Sequence, residues 1–229
     1  MVGRRKYDDG CAVAHALDLV GERWALLVVR ELLLGPKRFT DLQAGLPGAS
    51  PDVLTQRLRE LAEAGVLRRR RLAPPAASWV YELTEWGAEL EPIVVRLGRW
   101  SSRSPGLRHD APLGVDSLVL SLLALFDGPA SAGFEASIAL SLGEDRFRVT
   151  VAGGQIAAAR VGAELTAGAP ADVVLDTDPA TLLTLLRTDR PLADTIDAGA
   201  LRLTGDAAVA DRFRRLFPPP EPVAVAAPV

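Results

Sequence analysis

The chain has 229 residues, of which 48% are hydrophobic and 24% are charged, as is typical of a folded globular protein. No apolar run approaches the roughly 18 residues that a membrane-spanning helix requires. The single cysteine, Cys11, excludes an internal disulfide and fits a reducing compartment, so we expect a cytoplasmic protein. The formal net charge is −3, but the first 108 residues contain 17 Lys and Arg against 13 Asp and Glu, and the remainder 9 against 16. The first half is therefore basic and the second acidic.

A segment rich in Ser, Pro and Gly divides the chain in two. Residues 104–114 show no apolar periodicity and are predicted to be a linker. We therefore expect two domains, one over residues 1–103 and one over residues 115–217. Three prolines open residues 218–229, which we interpret as a flexible tail.

The first domain is predicted to be mostly helical. Apolar stretches of helix-forming residues are followed by helix-stop signals such as a Gly-Pro pair. Thr40 is a candidate N-cap with Gln43 completing a capping box, and Ser50 is a second candidate N-cap directly before Pro51. The predicted helices span residues 11–20, 22–34, 40–46 and 51–64, and a last one begins near Thr84.

A basic hairpin follows the fourth helix. Strand-like segments at residues 66–72 and 79–83 are joined by the turn-forming sequence APPAAS. The first strand carries four successive arginines, Arg68, Arg69, Arg70 and Arg71, which alternate between its two faces. Because burying unpaired arginines is costly, all four need water or anions, and a DNA backbone supplies anions. Two helices, a tight turn and such a hairpin predict a winged helix-turn-helix, although a solvated charge run is the alternative for the arginines.

The helix over residues 51–64 has two chemically different faces. Its apolar face consists of Leu54, Leu58 and Leu61 and is expected to pack inward. The candidate DNA-binding residues on the helix are Asp52, Thr55, Gln56 and Arg59. Gln can pair with adenine and Arg with guanine through two hydrogen bonds, and Thr can touch a thymine methyl group. The alternative is that these side chains are only solvated.

Three further residues are candidates for phosphate contacts. Ser50 and the free backbone amides beside it suit a phosphate at the start of this helix. Lys37 and Arg38 lie just before the preceding helix and could touch the same DNA backbone.

The last helix of the first domain carries an apolar stripe. Its members recur at spacings of 4, 3, 4 and 3 residues and are Trp86, Leu90, Ile93, Leu97 and Trp100. Such a stripe packs either within its own chain or against a second copy, and this small domain leaves little to cover it. We therefore expect a homodimer, and we expect Pro92 to kink the helix.

Residues 10–100 closely resemble the HxlR-type family of winged-helix regulators. The blocks that carry the resemblance are VGERW, LLLGPKRFTDL, LTQRLRELAEAGVLRRR and YELTEWG, in this order. The resemblance implies a homodimer that binds a pseudo-palindromic operator in double-stranded DNA. It also implies that Thr55, Gln56 and Arg59 read the DNA, with the hairpin at residues 68–71 as the wing. One departure is the wing tip APPAAS, which is apolar and carries no basic residue.

The second half alternates strands and helices. Strands are predicted at residues 134–142, 146–152, 155–161, 171–177 and 200–206, and helices at 181–187 and 207–217. Asp178 and Pro179 open the first of these helices as N-cap and first residue. The order of elements over residues 115–217 resembles sterol-carrier-protein-like domains. The fold class expected for the whole chain is therefore α+β, with a mainly antiparallel sheet in the second domain.

This second resemblance implies a hydrophobic cavity that takes an apolar small-molecule effector. The candidate lining residues are Leu120, Leu123, Phe126, Leu183, Leu186, Phe213 and Phe217. The alternative for each of them is an ordinary core position. An effector would act by binding two dimer geometries with different affinity.

Other classes of function fit the sequence less well. An enzyme is not expected, because the chain has only two histidines, His15 and His109, and no nucleophile elbow or phosphate-binding glycine loop. Cys11 and His15 are too few for a structural metal site, so we expect neither a metal nor a cofactor. Cys11 is a candidate redox trigger, because some HxlR-type regulators sense oxidants near this position; a small buried cysteine is the alternative. A lipid carrier with a helical interaction module is the last option.

Overall fold

The computed structural model describes residues 6–74, 76–108, 111, 113–161 and 170–224. By its internal contacts the chain forms two compact units, Met1–Val94 and Val95–Val229, which we call the N-terminal and the C-terminal unit. The boundary lies inside a helix, whereas the sequence placed the division at residues 104–114, some of which lie outside the described residues. Within the described ranges, no helix combines the length and the apolar character that crossing a membrane requires.

The N-terminal unit consists mainly of helices, as predicted. They are α1 (Ala12–Val20), α2 (Ala25–Leu32), α3 (Phe39–Gly45), α4 (Pro51–Glu63), α5 (Glu85–Ala88) and α6 (Glu91–Ser101), of which α6 contains the unit boundary. Helix α2 begins at Ala25 rather than at residue 22, because Trp24 adopts a left-handed backbone conformation with φ of 76°. A bulky residue rarely adopts this conformation, so the packing around Trp24 must hold it there.

The start of α3 differs from the prediction. Arg38, and not Thr40, occupies the N-cap position. The backbone N–H of Arg38 donates to the Asp41 carboxylate at 3.0 Å, so Asp41 takes the role that was predicted for Gln43. The predicted capping box from Thr40 is therefore wrong, because the N-cap lies two residues earlier.

The core of the N-terminal unit is built from the apolar faces of α2, α3 and α4. Leu54, Leu58 and Leu61 are at most 2% exposed, which confirms the predicted inward face of α4. They share one cluster with Val28 and Leu42. Burying a side chain of this size stabilises the fold by about 1.5–3 kcal/mol. The three leucines therefore fix which face of α4 points outward.

The basic hairpin forms the predicted two-stranded wing. Strands β1 (Leu67–Arg71) and β2 (Trp79–Leu83) pair in antiparallel fashion. The segment before α3 joins the wing through Lys37, whose backbone N–H donates to the Tyr81 carbonyl at 3.0 Å and whose carbonyl accepts from Tyr81 at 2.8 Å. The wing is thereby tied to the start of the helix pair.

The predicted last helix is interrupted near Pro92, as expected. Thr84 caps α5 by accepting from the Gly87 N–H at 3.0 Å, and the chain turns over Leu90 before α6 begins. Pro92 lies in the first turn of α6, where its missing N–H has no partner to lose. The stripe residues are consequently divided between two helices.

The C-terminal unit contains a five-stranded mixed sheet with helices. The strands are β3 (Ala136–Leu142), β4 (Asp145–Ala152), β5 (Gln155–Arg160), β6 (Val173–Thr177) and β7 (Leu201–Gly205), in the spatial order β5-β4-β3-β6-β7. The helices are α7 (Val115–Leu125), α8 (Pro179–Arg187), α9 (Leu192–Asp197) and α10 (Ala207–Arg214), with a 3-10 turn at Pro129–Ser131. Strands β3 and β6 run parallel and the other described neighbours antiparallel.

All five predicted strands of this unit are present, whereas α9 and the 3-10 turn were not predicted. On β4, the alternate residues Phe147, Val149 and Val151 are buried, as expected for a strand with one covered face. Part of the predicted flexible tail is held in place: the Arg103 carbonyl accepts from the Val223 N–H at 2.9 Å. The last five residues of that tail, 225–229, lie outside the described residues.

Candidate nucleic-acid interface

The turn between α3 and α4 is fixed by a cap and by one aromatic ring. The Ser50 Oγ accepts from the Val53 N–H at 3.3 Å, and Pro51 occupies the first helical position, as predicted. A Cβ atom added at Gly48 would lie 2.8 Å from the Trp24 ring. Trp24 therefore packs directly against the turn and helps to set where α4 begins.

The outward face of α4 carries the predicted base-reading residues. Asp52, Thr55 and Arg59 are exposed, and Gln56 is half-buried. The Gln56 amide is held from both sides, because its Nε2 donates to Glu60 Oε1 at 2.5 Å and its Oε1 accepts from Arg59 Nη2 at 2.6 Å. An amide has two donor hydrogens and two acceptor lone pairs, so each end retains a position for a base.

Two ion pairs next to this face, both made by Arg57, were not predicted from the sequence. Arg57 Nη1 lies 2.7 Å from Glu60 Oε2 and 3.6 Å from Glu22 Oε2. The spacing of Arg57 and Glu60 is a recognised helical pairing pattern and could have been noticed. The contact with Glu22 joins segments distant in sequence, so no local pattern indicates it. Glu60 and Arg57 together connect the Gln56 amide to Glu22, which lies before α2.

The first face of the wing contains Arg68, Arg70 and Glu82. Glu82 lies between the two arginines: its Oε1 accepts from Arg68 Nε at 2.7 Å and its Oε2 from Arg70 Nε at 2.5 Å. The Glu82 side chain is only 12% exposed, whereas those of Arg68 and Arg70 are 65% and 43% exposed. Burial alone raises the pKa of Glu82, but the hydrogen bonds and charges of Arg70 and Arg68 outweigh burial and bring this pKa below its ordinary value.

The second face of the wing contains Arg69 and Arg71. The Arg69 guanidinium lies 4.7 Å from the centre of the Trp79 ring and 5.9 Å from that of Tyr81, within cation–π range. Arg71 Nε donates to the Ala77 carbonyl at 3.2 Å. Within the described part of the chain, neither of these arginines contacts a carboxylate. The predicted alternation, with two arginines on each face, is present.

The two basic residues before α3 have different environments. The Lys37 side chain is buried, and its Nζ lies 2.5 Å from Glu31 Oε2, while Arg30 contacts the other oxygen of Glu31 at 2.7 Å. This placement does not suit the phosphate contact suggested for Lys37, because the ammonium would have to leave a buried carboxylate. A phosphate contact by Lys37 therefore stays a prediction that requires this ion pair to break. Arg38 is exposed and stays a candidate.

Comparison with known proteins identifies this architecture. Residues 19–106 match the family described as HxlR-like helix-turn-helix. The uncharacterized HTH-type transcriptional regulator YvaP of Bacillus subtilis (strain 168) is 37% identical over 87 residues, which cover 38% of this chain and 81% of that protein. The chain belongs to the HxlR family of helix-turn-helix regulators. The family predicted from the sequence is thereby confirmed for the N-terminal part.

Other transcriptional regulators match similar shares of the chain. The HTH-type regulator YdeP of the same Bacillus subtilis strain is 34% identical over 97 residues, which cover 42% of this chain and 74% of that protein. Among solved structures, the reduced form of the transcriptional regulator YodB from B. subtilis is 29% identical, covers 43% of this chain and 97% of its own, and superposes with a TM-score of 0.38.

Most residues of the apolar stripe that was predicted to form the dimer interface are exposed. Trp86, Ile93, Leu97 and Trp100 are all exposed, Trp100 at 72%, whereas Leu90 packs partly onto the core. In the N-terminal unit, Trp86, Leu90 and Ile93 border an apolar groove of about 170 Å³ whose other wall is α1. Helix α1 itself exposes Val13 and Leu17.

The residues predicted to line a ligand cavity lie in the C-terminal unit, outside the HxlR match. Leu120, Phe213 and Phe217 are buried, and Leu123, Phe126, Leu183 and Leu186 are half-buried. The Phe217 ring contacts the other two aromatic rings of this set. Its centre lies 6.3 Å from that of Phe126 and 5.0 Å from that of Phe213. A ligand that enters between these rings has to separate them.

Cys11 occupies a different environment from the buried one considered for it. The thiol is exposed at the N-cap position of α1. The backbone N–H groups of Ala14 and Val13 at the start of α1 favour the thiolate and lower the pKa of this thiol below its ordinary value. Among the residues that the structure describes, no three His, Cys, Asp or Glu side chains come together as metal ligands.

Proposed function

We propose that the protein is a homodimeric transcriptional regulator that recognises a pseudo-palindromic operator in double-stranded DNA through α4 and the wing. One observation carries this proposal: Thr55, Gln56 and Arg59 lie on the outward face of α4, and its leucines hold the opposite face in the core. Helix α4 leads directly into a strand with four exposed arginines, so base-reading and phosphate-binding groups are neighbours.

Sequence recognition is assigned to Gln56 and Arg59. Their mutual contact at 2.6 Å holds the two side chains next to each other, suited to neighbouring base pairs in the major groove. A well-formed bidentate contact to a base contributes about 1–3 kcal/mol of discrimination. Phosphate contacts are assigned to Arg69 and Arg71 on the wing, to Arg38, and to the start of α4 at Ser50.

Dimerisation is assigned to the exposed apolar surface of α5, α6 and α1. In the N-terminal unit, Trp86 and Ile93 beside an apolar groove leave apolar area that water covers poorly. On α6, Trp100 is exposed as well. A second copy that covers this area would place two recognition helices on one duplex. The half-sites are then expected about 10 base pairs apart, or a multiple of this distance.

Selection of fragmented genomic DNA by the full-length protein, at a stated salt concentration, tests the proposal. The wild type is compared with Gln56→Ala/Arg59→Ala. The matched control is Gln155→Ala/Arg202→Ala, which removes the same two types of side chain from exposed positions on β5 and β7 of the C-terminal unit. We expect the wild type and the control to enrich one two-fold symmetric site, and the α4 variant to bind DNA without this preference.

Two results would contradict the proposal. If the wild type enriches no sequence, operator recognition is wrong, and the lipid-carrier interpretation gains support. If the α4 variant enriches the same site as the wild type, recognition lies elsewhere in the chain.

We propose further that an apolar molecule binds the C-terminal unit and changes the affinity for DNA. In support of this, a five-stranded sheet is accompanied by helices whose apolar residues, such as Leu123 and Leu183, are only half-buried. Half-buried apolar side chains around an aromatic cluster suit an apolar guest, provided that the rings separate.

Titration with a fluorescent fatty acid tests this effector role. We expect saturable binding that unlabelled fatty acid displaces and that shifts the dissociation constant for the selected operator. Saturable binding without any effect on the operator contradicts the effector role. An absence of saturable binding contradicts fatty acids as the ligand class and favours the interpretation of these residues as core.

Cys11 supports a second trigger. It is exposed, and its lowered pKa increases the thiolate fraction, the form that oxidants and electrophiles attack. Operator binding is measured for the wild type and for Cys11→Ser before and after treatment with diamide. A response that is present in the wild type and absent from Cys11→Ser supports the redox trigger, and an equal response of both proteins eliminates it.

A further inference from the structure

The four arginines of the wing fall into two electrostatic classes. Arg68 and Arg70 share one carboxylate, that of Glu82, through hydrogen bonds from their Nε atoms. Arg69 and Arg71 are in contact with neutral groups, the Trp79 and Tyr81 rings and the Ala77 carbonyl. Four cationic side chains therefore differ in how far their charge is balanced before DNA arrives.

A DNA phosphate must compete with Glu82 for the first pair. Glu82 is largely shielded from water, and opposite charges attract more strongly where water is excluded. The carboxylate also stands on the same face as the two guanidinium groups, so it repels any phosphate that approaches them. Neither effect acts on Arg69 and Arg71, which point to the other face of the ribbon.

We infer that Glu82 is an internal counterion that occupies Arg68 and Arg70 and restricts strong phosphate binding by the wing to Arg69 and Arg71. The inference rests on the proposed function, because it requires the wing to lie against a DNA backbone. Its consequence is selectivity. Phosphate contacts add affinity for every sequence, so a wing with partly balanced charge lowers the affinity for random DNA without weakening the base contacts of α4.

The test is the salt dependence of binding to a duplex of arbitrary sequence, measured by fluorescence anisotropy with the full-length protein. The variants are Glu82→Gln, which keeps the shape of the side chain and removes its charge, and Glu85→Gln as matched control. Glu85 is exposed on α5, three residues away, and its replacement changes the net charge by the same amount.

We expect Glu82→Gln to bind more tightly than wild type and to show a steeper slope of log K against log salt. The magnitude of this slope should increase by roughly one to two, because each additional phosphate that is neutralised contributes about 0.9. Glu85→Gln should keep the wild-type slope. Equal slopes for both variants, or a shallower slope for Glu82→Gln, would overturn the inference.

A second pair of variants leaves Glu82 in place and covers the case that Glu82→Gln folds poorly. Arg69→Gln/Arg71→Gln should reduce the slope more than Arg68→Gln/Arg70→Gln, although both remove two positive charges. Equal reductions by the two pairs contradict the inference. If the wild type itself shows no salt-dependent binding to any duplex, the proposed function fails, and that outcome is distinct from a failure of the counterion role alone.

Discussion

Single side chains on the surface proposed to bind DNA are already engaged with one another in the free protein. Gln56 is held between Arg59 and Glu60, and Glu82 between two arginines of the wing. DNA must therefore exchange these interactions for interactions with bases and phosphates. At Gln56 the exchange costs little, because the contact with Arg59 is exposed and a typical hydrogen bond contributes only about 0.5–1.5 kcal/mol. At the wing, the largely shielded Glu82 carboxylate opposes the exchange.

The pairing of Glu82 predicts a pH-dependent contribution to stability. The pKa of this carboxyl lies below its ordinary value of 4.5, so the folded protein prefers the ionised form. The stabilisation is then present at neutral pH and is lost as the pH falls below 4.5 through the folded-state value. Urea unfolding should show wild type more stable than Glu82→Gln at neutral pH, with the difference shrinking in acid. A difference that stays constant down to acid pH contradicts this role.

At the residue scale, local patterns identified which side chains face outward but not what they contact. The helical period placed Gln56 and Arg59 opposite the buried leucines, and strand alternation divided the four arginines correctly. The partners Glu22 and Glu82 come from other segments, and so does Glu31, whose carboxylate holds Lys37 in the interior. Long-range pairs of this kind depend on the tertiary fold, which no local spacing encodes.

At the scale of elements, the helix pair depends on one tight contact. Trp24 holds an unfavourable backbone conformation, and its ring occupies the space that a side chain at Gly48 would need. This contact helps to fix the start of α4, and therefore the face of α4 that is proposed to read bases. The sequence indicated a tight turn between the helices predicted at residues 40–46 and 51–64, but gave no sign that a ring from the segment before α2 packs there.

Gly48→Ala should therefore destabilise the N-terminal unit by about 1–3 kcal/mol, the usual cost of overpacking. The cause is the added methyl group, which would lie 2.8 Å from the Trp24 ring. Gly10→Ala is the control, because a Cβ atom there meets nothing within 4 Å. The measurement is the denaturation midpoint followed by tryptophan fluorescence. Equal midpoints for Gly48→Ala and Gly10→Ala would show that the ring moves aside freely.

The elements of the C-terminal unit show the same division between local and long-range information. Asp178 with Pro179 marked the start of α8, and Asp178 Oδ1 does accept from the Ala180 and Thr181 N–H groups. The short helix α9 has too few periodic residues for its pattern to stand out. The parallel pairing of β3 with β6 joins strands that lie more than 30 residues apart, and strand order is set by tertiary packing.

At the scale of the whole molecule, two copies of the chain are expected on one DNA site. Ile93→Asp/Trp100→Asp places charges in the apolar surface assigned to dimerisation and should shift the protein from dimer to monomer in sedimentation equilibrium. Operator affinity should fall with it, because two linked half-sites bind more tightly than one. The control is Leu113→Asp/Ile196→Asp, which alters two exposed apolar residues of the C-terminal unit. A wild type that saturates its operator as a monomer contradicts the assignment.

Base reading by α4 is tested most directly by the ratio of affinities for the selected operator and for a scrambled duplex of equal length at the same salt concentration. We predict that Gln56→Ala/Arg59→Ala lowers this ratio roughly 10-fold or more. Each base that is no longer read accounts for about 1–3 kcal/mol of lost discrimination. Its affinity for the scrambled duplex should change far less, and Gln155→Ala/Arg202→Ala should keep the wild-type ratio. A ratio that is the same in all three proteins would show that α4 does not read the operator.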